Sequence, residues 1–231
     1  FRAMDFATRF LLEALRLGEP WRVSRAFALE SDLLAVQAKV DRAQALLARL
    51  ETLTSEIDTP RAQAQLLTTR GMILFLCQNR WREALDTLTE ATAIFRAHET
   101  SAGFEIDTVA LFCCYALYYL GGLGELARRV PALVHAAVRR GDRYAAVTSR
   151  TAFSVVWLMR DAPDEADAEI TDALRSWSTQ SFQMPHMFAL AGRCEHAIYR
   201  GDPAAEVPFV EAARAPLERS MLDRAPTNWL L

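Results

Sequence analysis

Lysine is all but missing from this chain: of its 26 basic residues only Lys39 is lysine, and arginine supplies the rest. The imbalance reads as coding bias rather than function. It still bears on any buried contact, because the guanidinium group makes planar, two-pronged hydrogen bonds that an ammonium cannot. No excess of one charge exists either. The 26 basic residues face 29 acidic ones, for a net charge of -3, which removes any electrostatic reason to expect nucleic acid as a partner. Cysteine is sparse, and Cys77, Cys113, Cys114 and Cys194 show no Cys-x-x-Cys spacing. Each lies in an apolar helical pattern, as buried reduced thiols of a cytoplasmic protein would. Cys194 and His196, even with His186 added, fall far short of a zinc pattern. The N-terminus carries charge and no apolar signal core. No charge-free apolar stretch approaches the roughly 18 residues a membrane helix needs, and Val109 to Leu120 comes nearest.

Catalytic signatures are missing as well. Gly121-Gly122-Leu123-Gly124 is glycine-rich, but no Lys-Ser/Thr follows it and no strand precedes it. It therefore fails both the phosphate-loop and the dinucleotide patterns and reads as a turn between helices. Neither Gly-x-Ser-x-Gly nor His-Glu-x-x-His occurs. The expectation is a chain that is not an enzyme by itself and carries no cofactor and no metal.

What is present is apolar and helical. The sequence is 52% apolar, ample for a packed core. Trp81, Ala84, Leu85, Leu88, Ala91 and Phe95 follow steps of mostly three and four, which place one stripe on a helix. Ala166, Ile170, Ala173, Leu174 and Trp177 do the same, as do Leu126, Val130, Leu133, Val134 and Ala137. Punctuation separates the helices. Thr59-Pro60 marks a start, Gln78-Asn79-Arg80 a tight turn, Ser101 to Gly103 a start, and Gly141-Asp142 a stop and a new cap. About twelve helices follow, over 3–17, 20–38, 40–55, 60–78, 80–97, 102–120, 124–140, 142–160, 163–178, 184–200, 203–218 and 220–230. Pro131 and Pro208 fall inside two spans, where proline kinks or splits a helix.

Small residues recur seven apart on second helices: Ala84 and Ala91, Ala127 and Val134, Ala166 and Ala173, Ala205 and Ala212. The first members are spaced 43, 39 and 39 residues apart. With Gly71, Leu74 and Leu88 this is the logic of a tetratricopeptide repeat of longer period. The predicted fold is all-α, a tetratricopeptide-like α-solenoid of about twelve antiparallel helices. It forms one domain over 1–231, with atypical helices in 1–58 and four repeat-like pairs in 59–231. No linker interrupts it.

Five charged residues sit among apolar neighbours on first helices: Arg70, Glu105, Asp107, Arg150 and Arg193. Asp107 to Arg150 and Arg150 to Arg193 are both 43 residues. First helices line the concave face of such arrays, so these residues are the candidate binding stripe for a protein or peptide, other domains of the same chain included. The competing reading is an internal ladder of ion pairs that holds repeats in register. Arg150 is expected to pair with Glu105 or Asp107.

Several segments resemble a known family. They are Leu15 to Ala26 (Leu-Arg-Leu-Gly-Glu-Pro-Trp-Arg-Val-Ser-Arg-Ala), Phe95-Arg96-Ala97-His98 leading to Phe104-Glu105-Ile106-Asp107-Thr108, Ala127 to Pro131, and Arg140-Gly141-Asp142-Arg143-Tyr144. Together they resemble the C-terminal repeat region of large multidomain bacterial serine/threonine protein kinases, in which kinase and ATPase domains precede helical repeats. The resemblance implies an excerpt of a longer cytoplasmic signalling protein whose phosphotransfer activity lies elsewhere, and a non-catalytic interaction or autoregulatory role for this chain. An initial Met is lacking and the chain ends at Trp229-Leu230-Leu231, which fits an excerpt. Glu105, Asp107, Asp142, Tyr144 and Arg150 fall in or beside the matched segments. The alternative is the ligand-sensing solenoid of a signal-transduction ATPase that regulates transcription.

Overall fold

The computed structural model describes residues 2–98, 103–225 and 228, and among them all regular structure is helical. The all-α solenoid class expected from the sequence is what is found. The helices cluster into two compact units that meet in sequence at Leu120 and Gly121, where the sequence reading had marked no boundary. Among the described residues no helix is long and apolar enough to cross a membrane.

The first unit holds α1 (Arg2–Leu17), α2 (Pro20–Val36), α3 (Val40–Ile57), α4 (Pro60–Gln78), α5 (Trp81–His98) and α6 (Gly103–Tyr119). The short turns have local causes. The Glu19 carboxylate accepts from the backbone N–H groups of Trp21 and Arg22, and the Thr59 hydroxyl from that of Ala62. Each cap is followed by a proline whose missing N–H costs nothing in a first turn. Asn79 ends α4 in the left-handed conformation, and two residues later α5 begins. Helix α4 is buried on nearly every side, with Leu67, Met72, Ile73, Leu74, Phe75 and Leu76 all in the core. It packs on α2, α3, α5 and α6, which explains why its sequence shows no single apolar stripe. Phe75 meets Phe112 edge to face at 5.7 Å, and Trp81 stacks on Tyr119 at 4.8 Å.

The expected close contact between α4 and α5 is present. Ala84, Leu88, Ala91 and Phe95 are all buried. A Cβ on Gly71 would lie 2.6 Å from Leu88 Cγ, so only glycine lets these helices approach.

The second unit holds α7 (Leu123–Arg140), α8 (Arg143–Ala152), α9 (Val155–Leu158), α10 (Pro163–Arg175), α11 (Met184–Tyr199) and α12 (Val207–Ser220), with a 3-10 turn at Pro203–Glu206 before α12. Gly141 takes the left-handed φ of 72° that ends α7, and Asp142 then accepts from the Ala145 N–H to start α8. Pro131 sits inside α7 without ending it.

Several sequence expectations need correction here. The span 142–160 is two helices, because Phe153 leaves the helical conformation at φ −122°, ψ 32°. The span 203–218 opens as a 3-10 turn, and α12 restarts with Pro208 in its first turn, so Pro208 does divide that span. Only a 3-10 turn at Leu222–Arg224 represents the span 220–230, whose end lies outside the described residues, as do Glu99 to Ala102 at the expected start of α6. The small-residue register holds at Ala166 and Ala173, both at 0% exposure. On α7 it is shifted: Leu126, Val130, Leu133 and Ala137 are buried, while Ala127 and Val134 stand half-buried beside them. Ala205 and Ala212 are exposed and form no seam. Alanine carries too little apolar surface to choose the buried face when larger neighbours compete for it.

None of the four cysteines is in a disulfide; Cys113 and Cys114 are buried and Cys77 and Cys194 half-buried.

Candidate functional site

Arg70, Glu105 and Asp107 lie in the first unit, Arg150 and Arg193 in the second. Arg70 on α4 bonds Glu51 on α3 at 2.8 Å, with both side chains over 40% exposed. Glu105 on α6 receives Arg25 of α2 at 3.3 Å. Asp107 is buried on α6. Arg150 on α8 bonds Glu169 at 2.6 Å and Asp172 at 2.7 Å, both on α10. Arg193 on α11 takes Glu206 in a two-pronged pair at 2.9 and 3.0 Å and lies 4.1 Å over the Phe209 ring.

Where Arg150 was expected to pair with Glu105 or Asp107, it pairs with Glu169 and Asp172 of its own unit, and Glu105 pairs with Arg25 of its own. The 43-residue interval keeps its meaning in a different form: Arg150 clamps two carboxylates on α10, and Arg193 one on the 3-10 turn after α11. The two-pronged reach of arginine suits this, and the carboxylates in turn hold both guanidinium groups more firmly protonated.

A second polar group escaped the sequence reading. His196 on α11 is fully buried, with Nδ1 2.6 Å from Asp167 Oδ1 on α10 and Nε2 2.9 Å from Ser154 Oγ. Asp167 is also held by Arg200 at 2.7 Å. Burial pulls the Asp167 carboxyl upward, but His196 and Arg200 outweigh it and keep it below the usual carboxylate range. The order serine, histidine, carboxylate is that of a hydrolytic nucleophile. Its surroundings are different. Ser154 is 2% exposed, and the Cβ position of Gly192 is only 2.7 Å from Ser154 Oγ. The hydroxyl is enclosed by its neighbours. The arrangement ties α10 and α11 to the break before α9, and that break is where Ser154 becomes available. Both ring nitrogens of His196 are engaged, so the His196–Cys194 pair makes no metal site. Among the described residues no group of three or more ligating side chains converges. A lone histidine on an apolar helix face was the one signal in the sequence, and its partners lie 29 and 42 residues away.

A third group is Asp32 on α2. Its Oδ1 is buried with no hydrogen-bond partner. Burial raises its pKa to about 7, only partly offset by Thr69 of α4.

The accessible features of the second unit flank α12. One cleft of about 200 Å³ is lined by Cys194, Ile198, Pro203, Val207 and Val210 with Glu206 and Glu211. Another, of about 260 Å³, is lined by Leu174, Phe182, His186, Leu190, Phe209, Ala212 and Ala213. Helix α12 itself has no buried residue. Ile198 is 67% exposed, Val207 50% and Val210 40%.

No protein-family model matches the sequence, and no curated protein matches it. Among solved structures the chain is similar to the crystal structure of BtubC (BKLC) from P. vanneervenii, with a TM-score of 0.69 and 14% identity over 94% of this chain and 91% of that one. At that identity the likeness is one of fold.

Proposed function

We propose that this chain is a non-catalytic protein-interaction or autoregulatory repeat module of a bacterial cytoplasmic signalling protein, a serine/threonine kinase with an ATPase domain. The observation that carries the interaction role is the apolar surface on α11 and α12. Ile198, Val207 and Val210 stand 40–67% exposed and line the smaller cleft together with Cys194 and Pro203. Contiguous exposed apolar surface of this kind marks a contact site on a soluble domain. The charged candidates contribute less than the sequence suggested, because Arg70, Glu105, Arg150 and Arg193 already have partners inside the chain. The kinase context rests on the sequence resemblance alone.

The test is calorimetric titration of the chain with the kinase and ATPase domains encoded in the same reading frame, using the native protein, Ile198→Glu and Val210→Glu. Native binding that weakens at least about tenfold in both variants supports the proposal. No binding, or equal binding by all three, overturns it. A reading frame with a DNA-binding helix-turn-helix and no kinase replaces it with the alternative, a ligand-sensing solenoid. The larger cleft is the specific feature that favours this alternative.

A further inference from the structure

We infer that the cleft formed by Phe182, His186, Leu190 and Phe209 is a binding site for a small, uncharged apolar molecule that carries one hydrogen-bond acceptor. The inference stands apart from protein binding by α11 and α12 and would survive its failure.

Size comes first. An apolar cavity of roughly 150 Å³ is enough to hold benzene, whereas drug-sized ligands occupy about 300–1,000 Å³. At about 260 Å³ this cleft suits a substituted ring or a short branched chain. Its wall comes from the end of α10 (Leu174), the segment before α11 (Phe182), α11 (His186, Leu190) and α12 (Phe209, Ala212, Ala213). No carboxylate, guanidinium or ammonium group is among these residues, and Arg193, which lies over the Phe209 ring, is already paired with Glu206, so a charged ligand would lose its hydration without a free counter-ion.

His186 supplies the polar contact, and its tautomer follows from the chain around it. The backbone N–H of Gln183 donates to His186 Nδ1 at 3.1 Å, closing the cap of α11. Burial lowers the pKa of the ring, so it is neutral at pH 7. A neutral ring with Nδ1 accepting carries its proton on Nε2. That Nε2–H has no partner among the described residues, and it is not among the polar atoms sealed from solvent. The site therefore offers an apolar wall and a single donor. Such a site recognises a ketone, ester or ether on an apolar frame. The ring of Phe182, tilted 30° from that of His186 with centroids 5.4 Å apart, adds an aromatic face to the wall.

The test uses acetophenone, which has a ring and one carbonyl acceptor, and ethylbenzene, which has the same frame without the acceptor. Ligand-observed NMR titration of the whole chain is compared for the native protein, Ala213→Trp, His186→Phe and His186→Gln. Both probes should bind the native chain, and Ala213→Trp, which fills the cleft from its half-exposed side, should abolish both. His186→Phe should weaken acetophenone about fivefold or more while sparing ethylbenzene, which also serves as the check that the cleft is intact. His186→Gln keeps a donor and should restore most of the acetophenone affinity. Failure of acetophenone to bind the native chain, binding undiminished by Ala213→Trp, or equal losses for the two probes in His186→Phe each overturns the inference.

Discussion

Arg150 on α8 bridges Glu169 and Asp172 of α10 at 2.6 and 2.7 Å, so that one guanidinium spans two acidic side chains three residues apart on the next long helix. The side chain of Arg150 is 19% exposed, against 29% and 59% for its partners. Arg150→Ala should cost about 1–2 kcal/mol, between the values for exposed and fully buried pairs. Chemical denaturation should show a lower midpoint with an unchanged slope, and the deficit should shrink at high salt. A loss above about 3 kcal/mol would mean that water screens this pair far less than its exposure indicates.

Close helix packing predicts opposite outcomes for similar substitutions. Ala91 and Ala173 are fully buried, and Gly71 has no room for a Cβ against Leu88. Ala91→Leu, Ala173→Leu and Gly71→Ala should each cost about 1–3 kcal/mol through overpacking. Ala212 is exposed, so Ala212→Leu should stay within about 0.5 kcal/mol of the native protein. Thermal melts that fail to separate these two groups would refute the assigned helix faces.

Asp32 predicts a pH dependence whose sign is fixed by its raised pKa. In the unfolded chain the carboxyl ionises near 3.8, while in the fold it holds its proton to about 7. Between these values folding retains a proton that the unfolded chain has released. Its contribution is therefore fully present below about pH 4, declines as pH rises, and is gone above about pH 7. The loss is bounded at about 4 kcal/mol. Asp32→Asn should flatten the stability profile across this window and be more stable than the native chain at pH 8. A native profile that rises from pH 5 to 8 by the same amount in both proteins would refute the assignment.

His196 should behave as a structural tie. His196→Phe removes both hydrogen bonds, leaving Ser154 without its partner and Asp167 with Arg200 alone, at a cost of about 2–4 kcal/mol. A fluorophosphonate probe, which labels activated serines, should leave Ser154 unmodified in the folded protein, because the hydroxyl is enclosed. Stoichiometric labelling of Ser154 would restore the nucleophilic reading.

The helices themselves were legible in the sequence because their causes are local. Thr59 before Pro60, Gly141 before Asp142 and the stripe from Trp81 to Phe95 act within a turn or two of the backbone. The bounds of α4 and the order of the first seven helices followed from such signals. Even Gly71, Ala84, Leu88 and Ala91 announced their contact, since small residues at fixed spacing matter only where another helix comes close. The partners of the charged residues were different. Arg150 could have reached a carboxylate on several helices, and the choice of Glu169 and Asp172 depends on how α8 and α10 pack. Ser154 became a partner for His196 only because Phe153 interrupts a span whose pattern reads as one helix. The half-open cleft at His186 has no sequence signal at all. It arises where α12 rests on α11 without burying a residue, and such a gap is set by the fit of whole helices.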